Sequence, residues 1–151
     1  MKKNSSIFKT IVLSLTLLLC SHIIFAHGDL EIRIKKKSAQ ISKTPNNAFL
    51  YFQRGFLYQQ HEEYKKSIKD YKKSEALGYK DKLLYYRKGE TYLLLKMNQE
   101  ALLAVESYFE IDATDIKIHK LKSAVLVQSG EFEKAKIAHT YFLENTKDLN
   151  P

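Results

Sequence analysis

Apolar and aromatic residues recur through most of this chain at helical spacing, and the spacing pattern itself repeats. Tyr51, Gly55 and Tyr58 share one helix face by the i, i+4, i+7 rule, and Tyr64, Ser67, Ile68 and Tyr71 share a second. The two stripes predict a pair of amphipathic helices joined by a short polar turn. At a step of 34 residues, Tyr85, Gly89 and Tyr92 repeat the first stripe, and the small residue opening the second helix passes from Ser67 to Ala101 to Ala135. A third copy is fainter, with His119, Ser123 and Leu126 at the places of the tyrosine, glycine and second tyrosine. Helix pairs are therefore expected over 48–81, 82–115 and 116–149. Glycine inside a helix costs roughly 1 kcal/mol against alanine, so its return at an equivalent place predicts two helices in close approach, with tyrosines filling the volume on either side.

Ahead of the repeats, Leu30, Ile34 and Ile41 form one stripe in a lone helix expected over Leu30 to Ser42, with Asp29 as its N-cap. Pro45 stops it, because the residue before a proline is driven out of the helical region. Residues 27–47 thus form an N-terminal half-repeat that would cap the apolar end of the stack at Ala48. The other end is expected to be less covered. Only Thr146 to Pro151 follow the last helix, so Ile137, Tyr141 and Phe142 should be partly exposed, a surface for homodimerisation or docking.

Residues 1–26 carry the three parts of a secretory signal peptide: Lys2, Lys3 and Lys9, then the apolar run Ile11 to Leu19, then a cleavage site at Ala26. The apolar run is shorter than the roughly 20 residues a membrane span needs. Leu17-Leu18-Leu19-Cys20 offers a lipoprotein alternative, but such sites usually place a small residue before the cysteine, and here it is Leu19. Cleavage after Ala26 predicts a periplasmic or secreted chain starting at His27. Cys20 is the sole cysteine, so that form would have no disulfide, no thiol nucleophile and no cysteine metal ligand.

The net charge is +8 for the whole chain, and loss of the leader leaves 22 basic against 17 acidic side chains, near +5. Bases and acids alternate along the helices, as in Glu131, Glu133, Lys134 and Lys136, which fits a solvated face and not a nucleic-acid footprint. No phosphate loop, nucleophile elbow or paired-carboxylate arrangement is present, and no enzyme is indicated. His27, His61, His119 and His139 form no i, i+3 or i, i+4 pair, so no metal site or cofactor is expected. The open alternative is chelation by the amine and imidazole of a mature N-terminal His27. His119 and His139 are expected as packed rings.

The period, the aromatic-Gly-Tyr pattern and the run Gly130-Glu131-Phe132-Glu133-Lys134-Ala135 resemble the tetratricopeptide repeat family over about Ala48 to Leu149. The resemblance implies an all-α, right-handed solenoid of three repeats after one capping helix. It also implies a non-catalytic scaffold that holds a protein or peptide in a groove lined by the first helix of each pair. Placed in register, those helices offer Phe49, Phe52, Gln53 and Phe56, then Leu83, Tyr86, Arg87 and Glu90, then Lys117, Lys120 and Leu121. Phe52 and Tyr86 are expected as exposed aromatic anchors, in a groove running from aromatic to basic. The family's clamp for chaperone tails has Lys and Asn where this chain has Phe52 and Phe56, so that ligand is not expected.

Overall fold

The computed structural model describes residues 28–146, and these fold into seven helices with no strand among them. Helix α1 spans residues 28–43 of the described part. It is followed by α2 (Ala48–Gln60), α3 (Tyr64–Ala76), α4 (Lys82–Leu94), α5 (Asn98–Ile111), α6 (Lys117–Gln128) and α7 (Phe132–Thr146). The leader, Cys20, His27 and the last five residues lie outside the described residues. Asp29 sits inside α1 and ion-pairs with Arg33 one turn on, so it is not the N-cap that the sequence led us to expect. Among the described residues no helix is long and apolar enough to cross a membrane.

Helices pack most extensively in the pairs α2/α3, α4/α5 and α6/α7, and the second helix of each pair then meets the first helix of the next. The first helices α2, α4 and α6 also touch one another in succession, whereas α3, α5 and α7 do not. Stacked pairs whose first helices converge and whose second helices splay must curve, with α2, α4 and α6 on the inner wall.

Each pair closes on the same small device. Gly55 faces the backbone of α3: a Cβ there would come within 2.7 Å of the Tyr71 ring and 3.2 Å of the Ser67 carbonyl oxygen. At Gly89 the corresponding carbonyl is that of Ala101, 3.7 Å away, and the nearest atom is a Leu121 methyl at 2.9 Å. In the third pair Ser123 stands at this place and its Oγ donates to the Ala135 carbonyl at 3.0 Å. The glycine is dispensable there because the serine hydroxyl is bonded to the very carbonyl that a larger apolar group would crowd.

Turns between paired helices also repeat. Glu62, Lys96 and Gly130 all have positive φ, at 60°, 59° and 78°, and each follows the end of a first helix. The next residue in each case donates its N–H five residues back, Glu63 to Tyr58, Met97 to Tyr92 and Glu131 to Leu126, each at 2.9 Å. This is the Schellman closure, which glycine serves best because it has no Cβ to crowd the left-handed region.

At the C-terminal end the expectation divides. Ile137 is exposed, but so is Leu103 at the same place in the preceding repeat, which has a helix pair stacked after it. Ile137 therefore belongs to the outer face and owes its exposure to position, not to a missing cap. Phe142 differs: its equivalents Ser74 and Tyr108 are buried, while it is half-buried. His139, equivalent to the buried Tyr71 and Val105, is exposed and not the packed ring the sequence suggested. His119 does pack, its ring 5.0 Å from that of Phe109 and 4.2 Å from that of Tyr141. Burial and the nearby Lys122 ammonium hold its pKa below the ordinary imidazole value.

Candidate functional site

The inner wall is built from one stripe on each first helix. Phe49, Leu83 and Lys117 occupy equivalent places at the 34-residue step, and all three are exposed, Phe49 at 46% and Leu83 at 44%. Lys120 is exposed one turn further along α6.

Phe52 is not the exposed anchor that its register suggested. It is only 7% accessible and belongs to the main core, with ring centroids 5.9 Å from Tyr71 and 5.1 Å from Tyr79. The cause is Tyr79, in the loop after α3, which comes up beside α2 and closes over the ring. Tyr86 is half-buried against the same core, with its ring 6.3 Å from Tyr108. Leu121 is buried, at the close contact with Gly89.

Phe56, Arg87 and Glu90 are brought together across α2 and α4, and Gln53 is not part of the group. The Arg87 guanidinium lies over the Phe56 ring at 4.7 Å and pairs with Glu90 at 2.8 Å, and Glu90 also accepts from Gln59 at 3.3 Å. Gln59 in turn accepts the hydroxyl proton of the fully buried Tyr71 at 2.8 Å. Burial raises the pKa of that phenol well above its ordinary value, so it stays a donor at any physiological pH. Since Arg87 and Glu90 neutralise each other, this patch offers an incoming ligand a ring face and hydrogen-bonding capacity more than charge.

Gln53 points the other way and accepts from Lys37 of α1 at 2.9 Å. Between α1 and α2 lies a cavity of about 500 Å³, lined on α2 by Phe49, Phe52, Gln53, Phe56 and Leu57 and on α1 by Arg33, Lys36, Lys37 and Gln40. The α1 residues did not emerge from the sequence as site residues. Their only signal is that Arg33, Lys36 and Lys37 stand at i, i+3 and i+4, beside the Ile34 and Ile41 stripe that buries α1.

Three further ion pairs, also unforeseen, hold the scaffold. Arg54 of α2 grips Asp70 of α3 bidentately at 2.6 and 2.8 Å and reaches Ser38 of α1 at 3.0 Å, tying the half-repeat to the first pair. Lys82 at the start of α4 meets Asp112 at 2.7 Å and Asp115 at 3.1 Å. Lys82 and then Thr114 hold the Asp112 carboxyl down at about 2. Among the described residues no three His, Cys, Asp or Glu side chains come together in a way that could hold a metal ion.

Helix pairs of this period, closed by a small residue on the first helix and stacked through converging first helices, define the tetratricopeptide-repeat fold, and this chain has it. No family model matches the sequence, and no curated protein matches it significantly. Solved structures do. A crystal structure of MamA superposes with a TM-score of 0.73 at 20% identity, over 78% of this chain and 68% of that one. A MamA RS-1 double mutant gives a TM-score of 0.75 at 18% identity, over 82% and 69%. A tetratricopeptide repeat protein from Parabacteroides merdae ATCC 43184 gives 0.74 at 16% identity, over 80% of this chain and 47% of its own length. At these identities the likeness concerns the fold.

Proposed function

We propose that this chain is a non-catalytic binding module that holds a peptide or protein partner against its inner wall, and that it works outside the cytoplasm. The observation that carries the binding role is the exposed stripe of Phe49, Leu83 and Lys117 at equivalent repeat positions, with Lys120 beyond it. Two large apolar side chains at matched places on one wall can anchor a ligand, and the flanking lysines can select an acidic one. The proposed location rests on the three-part leader at 1–26. The outer edge of α7 offers less for self-association, because Lys136 and His139 stand there at the places of Ile68 and Tyr71, which are buried in the first repeat.

Panning a random peptide library against the processed chain tests the reading. Enriched peptides should share apolar anchors and net negative charge, and should bind at least tenfold more weakly to the Phe49→Ser, Leu83→Ser double variant. Lys65→Glu with Lys72→Glu, both exposed on α3, should change affinity less than twofold. Peptides without common features, or equal loss in the α3 variant, would refute the proposal.

A further inference from the structure

In the first two repeats the second helix buries one face against its own first helix, whereas among the described residues α1 is a second helix with no first helix before it. Stepping back 34 residues, Arg33, Lys36, Lys37 and Gln40 take the places of Ser67, Asp70, Tyr71 and Ser74, and of Ala101, Ala104, Val105 and Tyr108 one repeat later. All eight of those equivalents are buried, at 4% accessibility or less. On α1 the same face is open, with Arg33, Lys36 and Gln40 exposed and Lys37 half-buried. The α2 side of the cavity follows the same logic. Gln53 and Phe52 are the equivalents of Arg87 and Tyr86, and Arg87 is the residue through which α4 reaches back to α2. The cavity of about 500 Å³ thus lies where the first helix of an additional pair would pack.

From this we propose that the open half-repeat is a docking site for an acidic amphipathic helix of a partner protein, which packs where the first helix of an additional pair would lie. The apolar side of the incoming helix would meet Phe49, Phe56 and Leu57. Its acidic flank would meet Arg33, Lys36 and Lys37, and no carboxylate lines the cavity to oppose it. The resident first helix α2 has 13 residues, which sets the length of helix that the face can accommodate. Charge decides between occupants. The chain's own leader is apolar and has no acidic residue, so it would bring no charge to match Lys36 and Lys37 or to share Arg33 with Asp29, and a second copy would have to bring an acidic face of its own. The inference deepens the binding role proposed above and rests on it, but places part of the binding energy on α1.

A labelled 14-residue peptide serves as probe, with Leu at i, i+3, i+4 and i+7 spacing and Glu at the flanking positions, read by fluorescence anisotropy and far-UV circular dichroism against the processed chain. Binding should be accompanied by a gain in helicity. It should weaken at least tenfold when Lys replaces Glu in the peptide, and at least tenfold in Arg33→Glu with Lys36→Glu, two exposed positions whose change should leave the melting temperature in place. Lys65→Glu with Lys72→Glu, both exposed on α3, should alter it less than twofold. Equal affinity for the Glu and Lys peptides, or an unchanged affinity in the α1 variant, would overturn the inference. So would a concentration-dependent dimer abolished by the α1 variant, which would assign the face to a second copy, or protection of α1 in the unprocessed chain alone, which would assign it to the leader. Library peptides that bind the inner wall while ignoring the α1 variant would overturn this inference and leave the proposed function standing. Loss of both kinds of binding would refute both.

Discussion

Positions 55, 89 and 123 are equivalent in the repeat but unequal in what they tolerate. A methyl group at Gly55 would meet an aromatic ring wedged in the core and a backbone carbonyl, neither of which can retreat cheaply, whereas at Gly89 it would meet the mobile end of Leu121. Gly55→Ala should therefore destabilise the chain by about 1 to 3 kcal/mol through overpacking. Gly89→Ala should be near neutral, as the gain in helix propensity of about 1 kcal/mol offsets a small shift of the leucine. Thermal melting followed by circular dichroism separates the two, and equal effects would mean the packing at Gly55 is looser than described here. The close approach itself was legible in the sequence from the 34-residue recurrence. Which atoms stand opposite was not, because that depends on Tyr71 reaching back from α3. Phe52 shows the same limit: its register says inner wall, but its ring packs into the core against Tyr71 of α3 and the loop residue Tyr79.

Among the elements, the turns carry a strain that the third repeat has relieved. Glu62 and Lys96 hold left-handed backbone where the third turn has Gly130, and that conformation costs a side-chain-bearing residue about 1 to 2 kcal/mol. Glu62→Gly and Lys96→Gly should each stabilise the fold by about 0.5 to 1 kcal/mol once the larger unfolded-state entropy of glycine is counted. Gly130→Ala should cost about 1 kcal/mol. Urea titration of the three variants checks the signs, and destabilisation by either glycine would mean that the side chain at that turn contributes more than its backbone conformation costs. The Gly130 turn was readable from the sequence, whereas the other two show only once the repeats are superposed. The helix α1 was also readable, from Leu30, Ile34 and Ile41, yet its functional interest lies in the polar residues between them, whose meaning depends on α1 having no paired first helix among the described residues.

For the molecule as a whole, first helices that touch and second helices that do not make one face concave, and the proposed binding role rests on the exposed apolar and basic side chains of that face. Period and pattern sufficed to read the three pairs and their order. The register placed Phe49, Leu83 and Lys117 on one wall, but which side chains of that wall stay exposed was not legible, since burial within a superhelix depends on loops and on the neighbouring pair as much as on helix phase. Positive charge also stands at the aromatic end, on Arg33, Lys36 and Lys37 of α1, where the sequence alone placed it only on α6. Site-specific photocrosslinking of a library-selected peptide is the most direct test. With p-benzoylphenylalanine installed singly at Phe49, Leu83, Lys120, Lys65, Lys72 or Ile137, the account predicts crosslinks from the first three positions and none from the last three. Crosslinks from Lys65, Lys72 or Ile137, with none from the inner wall, would contradict it and put the binding surface on the outer face.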